Sequence, residues 1–128
     1  MSTNNRVALV TGATGGIGFE VAKRLGQDGY TVILKCIEDA AGAERVAELA
    51  SEGITAEYMG FDVTNESEVT SNINAIGAKH GKIDVLVNNA GGLGGRSRFE
   101  EMTTEFYKNV MALNLDSVFY ASRAAIPF

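Results

Sequence analysis

Residues 6–18 read Arg6-Val7-Ala8-Leu9-Val10-Thr11-Gly12-Ala13-Thr14-Gly15-Gly16-Ile17-Gly18. Val7–Val10 is a short apolar run without polar alternation, as in a strand buried on both faces. Glycines crowd the turn that follows. Ile17, Val21 and Leu25 then recur at i, i+4 and i+8, one face of a helix. A strand that enters a glycine turn and leaves as a helix points unpaired N–H groups and partial positive charge at one spot, which suits a pyrophosphate. Gly12 permits the tight turn; Gly16 and Gly18 let backbone approach phosphates and helix approach sheet. Thr14, Gly15 and Ile17 complete the loop. The spacing is Gly-x-x-x-Gly-x-Gly rather than Gly-x-Gly-x-x-Gly, because Val21 stands where a third glycine of the latter would fall. A ligand-free glycine turn is the competing reading. The strand before, the helix after and the βαβ unit that follows weigh against it.

Working outward, the same alternation continues. The first helix ends at Gly29. Thr31–Leu34 reads as strand two, Ala56–Val63 as strand three and Ile83–Val87 as strand four. Asp39 is placed to cap a second helix, with Val46, Leu49 and Ala50 inward and Gly53 closing it. Thr64 or Asn65 caps a third, with Val69, Ile73 and Ile76 inward and Lys79 and His80 in the last turn before Gly81. A glycine-rich loop covers Gly91–Ser97. Thr103 or Thr104 then caps one long helix that runs to about Ile126, where Pro127 ends it. Strand–helix alternation with apolar strands predicts an α/β fold: one domain, a three-layer doubly wound parallel sheet of Rossmann or flavodoxin type. The expected strand order is 3-2-1-4, with a ligand crevice at the carboxyl ends of strands one and four.

Composition narrows the function. Eleven Lys+Arg against sixteen Asp+Glu give a net charge of −5, which argues against a nucleic-acid partner. No long apolar run and no basic-then-apolar start is present, so neither a membrane span nor a secretory signal is expected. A lone Cys36 cannot form an internal disulfide and fits a cytoplasmic location. With one His and one Cys, a protein metal site is not expected.

Several polar residues fall near the expected crevice. Asp62, with Val63 after it, follows strand three and can accept from an adenine amino group; a helix-start carboxylate serving Thr64 is the reading from physics alone. Asn88-Asn89-Ala90-Gly91 ends strand four, where amides can tie loops together and small residues leave room for a flat ring, or simply make a turn. Asn114 lies inside the long helix, where Asn is a poor former. It shares a face with Val110 and organises a polar site, sits satisfied in the core or marks a kink. His80 reads as a solvated helix end. Arg96 and Arg98 suit either phosphate contact or loop solubility. None of Tyr30, Tyr58, Tyr107 and Tyr120 has a Lys four residues later, so none gains a cation to lower its pKa for acid catalysis.

Together these segments resemble the short-chain dehydrogenase/reductase family, especially its 3-oxoacyl-carrier-protein reductase-like members. Thr11–Gly18 matches TGxxxGIG, Asp62-Val63 the adenine-contacting Asp, Asn88–Gly91 the NNAG and Asn114-Leu115-Asp116-Ser117 the NLxS motif. The resemblance implies an oxidoreductase moving hydride between a nicotinamide dinucleotide and a small carbonyl or acyl substrate. It implies a catalytic role for Asn114 and cofactor contacts from Gly12, Thr14, Gly15, Gly16, Ile17, Gly18, Asp62, Val63, Asn89, Ala90 and Gly91. Cys36 and Ile37 occupy the positions where the family carries an Asp for NAD or a basic residue for NADP. With no Asp there NADP(H) is slightly favoured over NAD(H); Lys35 is a further basic candidate, while Gly15 replaces a basic residue common in NADP members.

The family's catalytic Ser and Tyr-x-x-x-Lys would follow Phe128, so the chain is expected to be an N-terminal, catalytically incomplete half, truncated before strand five. Strand four would then be an exposed edge, and a homodimer is expected through that edge, through the C-terminal helix, or by segment exchange. Two alternatives stand beside this reading: a rearranged dimeric fragment without cofactor binding, and an enzyme completed by another subunit.

Overall fold

The computed structural model describes residues 5–128. Its sheet has four parallel strands: β1 (Val7–Val10), β2 (Thr31–Cys36), β3 (Ala56–Gly60) and β4 (Val85–Val87), in the order β3-β2-β1-β4. Leu9 sits between Ile33 on β2 and Leu86 on β4. Every residue of β1 is buried, which explains its unbroken apolar sequence. Helices α1 (Gly16–Gln27) and α2 (Asp39–Ser51) accompany one face; α3 (Glu66–His80) and α5 (Ser117–Ala125) cover the other. A short turn at Phe99–Glu101 and helix α4 (Thr104–Met111) precede α5.

Two cores result. Ala8, Val10, Phe19, Val32, Leu34 and Leu49 pack on the α1 side. Leu9, Ile33, Val69, Ile73, Ile76 and Ala121 pack on the other. Alternate residues of each strand serve alternate faces, so one residue type does two jobs.

Helix ends follow their local chemistry. Asn65 Oδ1 accepts from Glu68 N–H at 3.1 Å, and Gly81 closes α3 at φ +76°. Thr103 caps α4 by accepting from Phe106 N–H. Several expectations need correction. Strand β3 stops at Gly60 rather than Val63, and β4 begins at Val85 rather than Ile83, because the paired register ends there. Strand β2 runs on to Cys36 because Lys35 and Cys36 pair with Met59 and Gly60 of β3. The cap of α2 is therefore Glu38, with no side-chain hydrogen bond, and Asp39 is its first helical residue. Ala50 is exposed, and Ile17 is 76% exposed, because Phe19 and Ala22 rather than Ile17 face the sheet. Finally, the long helix is not continuous: a π turn at Ala112–Asp116 separates α4 from α5.

At the sheet's outer edge Glu57 Oε1 lies 2.8 Å from His80 Nε2, and Lys79 Nζ donates to Glu57 Oε2 at 2.9 Å. Burial opposes the Glu57 charge, but the hydrogen bonds from His80 and Lys79 outweigh it and hold its carboxyl below the usual value. A lowered carboxylate pKa stabilises the fold above the unfolded value of about 4.3 and loses that stabilisation as pH falls through the folded value. Glu57→Gln is expected to cost about 1 kcal/mol at pH 7 and less at pH 3 in urea denaturation. An equal cost at both pH values would contradict the assignment.

Candidate nucleotide-binding site

The site lies where β1 and β4 end side by side. Thr11 N–H donates to Val87 O at 3.0 Å. Thr11 Oγ1 accepts from Asn89 N–H at 3.0 Å and from Ala90 N–H at 2.9 Å, and donates to Val87 O at 3.4 Å. Asn89 Nδ2 donates to Gly12 O at 3.0 Å. The two exit loops are thus clasped through one hydroxyl and one amide. Thr11 is 2% exposed. Sequence reasoning quoted it within the loop but missed its role; a Thr directly after an apolar strand was the available signal.

The clasp demands glycine. Gly12 holds φ +60°, and a Cβ there would come within 3.0 Å of Ala90 Cα. A Cβ on Gly18 would lie 2.1 Å from Gly12 O and 2.5 Å from Asn89 Nδ2. Glycines 15 and 16 differ: a Cβ on either meets nothing within 4 Å. Gly15, the α1 cap, contributes no side-chain hydrogen bond. The first N–H groups of α1 thus have neither an intrahelical nor a capping side-chain acceptor, and no side chain at 15 or 16 crowds them, as an incoming pyrophosphate requires.

A cavity of about 430 Å³ opens beside the loop, lined among others by Gly12, Thr14, Cys36, Ile37, Val63 and Ala90. Gly91 also lines it, and Ile37 is 84% exposed. Cys36 is buried, with its thiol against Gly42 of α2. Burial first, then the charge of Asp39, pushes that thiol up, so it is a poor nucleophile. A larger open depression of about 950 Å³ runs along α1 beside Val85 and Val87; it shares only Gly16 and Ile17 with the expected site residues.

Asp62 sits just outside the cavity. Its Oδ1 accepts from Thr64 Oγ1 at 2.7 Å and from Thr64 N–H at 2.8 Å. Those bonds hold its carboxyl below the usual value. The Thr64 role read from physics alone is therefore present, with the second oxygen left for another donor. Asn88 Nδ2 donates to Ser122 Oγ at 3.2 Å, away from the cavity.

Asn114 lies in the π turn and is exposed rather than turned into the core. Its Nδ2 donates to Val110 O at 2.8 Å and to Gly92 O at 2.7 Å, and its Oδ1 accepts from Gly92 N–H at 2.9 Å. One amide thus satisfies a helix carbonyl and pins the loop after Gly91. Ser117 Oγ donates to Leu113 O at 2.6 Å in the same turn. Arg45 was also missed: from α2 its Nε donates to Thr14 O at 2.8 Å, bracing the glycine loop. Arg96, Arg98 and His80 lie outside the cavity lining.

The family model for short chain dehydrogenase matches residues 6–128. The chain belongs to that family. It is similar to the uncharacterized oxidoreductase YxjF of Bacillus subtilis (strain 168), 37% identical over 122 residues that make up 95% of this chain and 47% of that protein. A metagenomic short-chain oxidoreductase solved in complex with NADP matches with a TM-score of 0.94 and 31% identity, covering 99% of this chain and 57% of that one. An NAD+-bound xylitol dehydrogenase matches at 0.89 and 30% identity, covering 98% and 48%. The chain spans about half the length of the curated relatives it matches.

The clasp makes a stability test. Gly18→Ala is expected to cost about 3 kcal/mol or more in urea denaturation, because backbone must move. Gly15→Ala is expected within about 0.5 kcal/mol of the parent. Thr11→Val leaves the Ala90 amide without its acceptor, and the Asn89 amide with Val87 O at 3.1 Å alone, and should cost about 1–3 kcal/mol. Equal effects at Gly15 and Gly18 would contradict the close approach.

Proposed function

We propose that this chain is the cofactor-binding portion of an NAD(P)-dependent short-chain dehydrogenase/reductase acting on a small carbonyl, alcohol or acyl substrate. The observation that carries this is the clasp. It sets the glycine loop that leads into α1, through Gly12 and Thr14, beside one cavity that Ile37, Val63, Ala90 and Gly91 also line. The N–H groups from Gly16 to Gly18 would take the pyrophosphate. Asp62, with its unoccupied second oxygen, would accept from the adenine amino group, beside Val63. Ile37 would cover the base, and Asn89, Ala90 and Gly91 would border the ribose and the flat nicotinamide. When bound, that ring supplies hydride. Asn114 would act by holding the loop at Gly92, on which the ring's approach depends. The 128 residues carry no Tyr-x-x-x-Lys, so turnover by them alone is not expected.

NADP(H) is favoured over NAD(H), because neither Cys36 nor Ile37 presents a carboxylate to a 2′-phosphate. Glu38 lines the same cavity and works in the other direction. A second copy of the chain is the proposed macromolecular partner. The sheet ends at β4 among the described residues, and Tyr107, Leu115 and Phe119 of the α4–α5 segment are exposed. Either surface, or exchange of the C-terminal segment, would bury apolar area. No helix of the described residues is long and apolar enough to cross a membrane. A cytoplasmic location and no nucleic-acid partner complete the proposal.

Calorimetric titration tests it: NADPH should bind more tightly than NADH, and Glu38→Gln should tighten NADPH several-fold with little change for NADH. Absence of affinity for both would favour the rearranged, cofactor-free fragment. Light scattering at micromolar concentration should give about twice the 13.6 kDa of one chain; a stable monomer would overturn the dimer.

A further inference from the structure

Strand β2 carries one lysine among apolar residues. Lys35 is 2% exposed. It leaves the sheet on the face of Ile33, opposite Leu34. Its Nζ lies 5.2 Å from the centre of the Phe61 ring. No hydrogen bond and no ion pair to its ammonium is found among the described residues, so the aromatic face is its one close partner. Burial pushes Lys35 below the ordinary lysine value, while Cys36, Asp62 and Glu68 act in the opposite sense. Among the described residues no side-chain nitrogen is both fully enclosed and without a hydrogen-bond partner, so the ammonium of this otherwise buried side chain keeps its access through the cavity that Lys35 lines. Holding a charge there is costly unless something uses it.

The position says what would use it. Lys35 lines the cavity beside the glycine loop, together with Val63, Ala90 and Leu113. Phe61, beneath its ammonium, leads directly into Asp62 and Val63, the wall proposed for the base. Glu38 and Ala41 line the cavity too, at the start of α2, and Glu38 makes that part unwelcoming to an anion. A purine presents ring nitrogens that accept hydrogen bonds and carry no charge. We propose that Lys35 reads the base: its ammonium donates to a ring nitrogen of adenine and so gains the acceptor that the protein itself does not provide. This rests on the cavity being a nucleotide site. It makes Lys35 a recognition residue for the adenine end of either cofactor, indifferent to the 2′-phosphate.

Lys35→Met keeps length and removes the donor. Its affinity for ADP, NADH and NADPH should fall by about tenfold for all three alike, as loss of a charged donor implies. Its melting temperature should equal or exceed that of the parent, because a buried charge has gone. In the unaltered chain, the Lys35 Nζ resonance of lysine-labelled protein should shift on addition of ADP and stay put with ribose 5-phosphate. That measurement stands even if the variant folds poorly. Unchanged affinities with a motionless Nζ resonance would overturn the proposal. A loss confined to NADPH would also overturn it, by assigning Lys35 to the 2′-phosphate. If the unaltered chain binds none of the three, the nucleotide reading itself fails and this inference falls with it.

Discussion

Thr11 Oγ1 accepts hydrogen bonds from two consecutive backbone amides of the loop that leaves β4, and Asn89 answers by donating to Gly12 O. Buried amides need partners, and here one hydroxyl supplies two of them. That bond set brings two loops far apart in sequence to within touching distance. It leaves no room for a side chain at Gly18 and strains any residue but glycine at Gly12. It also fixes the loop that leads into the uncapped N-terminus of α1, and Gly12 and Thr14 of that loop line the cavity. The rest of the site inherits its geometry from this contact.

Much of this was legible in the chain. Strand order and the two-sided burial of β1 follow from unbroken apolar runs and strand–helix alternation. Asn65, Thr103 and Gly81 do at helix ends what their side chains or lack of one predict. The glycine loop was legible too, because its spacing demands a turn followed by a helix.

Other features lie outside what periodicity can carry. The π turn adds one residue to a helix whose apolar pattern continues across it, so only the odd Asn114 hinted at a break. Of the three readings of Asn114 the core one fails: the side chain is exposed, and its amide bonds the Val110 carbonyl and both backbone groups of Gly92. Ile17 follows helical spacing yet lies exposed at the first turn, before α1 settles on the sheet. The burial of Lys35 was invisible because a strand lysine normally marks a solvated edge, whereas β2 is an inner strand paired on both sides. Of the two readings of Asp62 the helix-start one is present, through the two bonds from Thr64 to Oδ1.

Family membership and local physics meet at the same place but carry different weight. Membership says that chains like this one bind nicotinamide dinucleotides. The geometry shows how the candidate groups among these 128 residues are held. The central claim is that the clasped glycine loop and the cavity beside it form a working nucleotide half-site. Backbone amide shift mapping by NMR, with ADP titrated into the 15N-labelled chain, tests it most directly. The account predicts saturable shifts centred on Gly12–Gly18, with a second group at Ile37, Val63 and Ala90. Shifts that are absent, or that gather along α4 and α5 while the loop stays still, would contradict it.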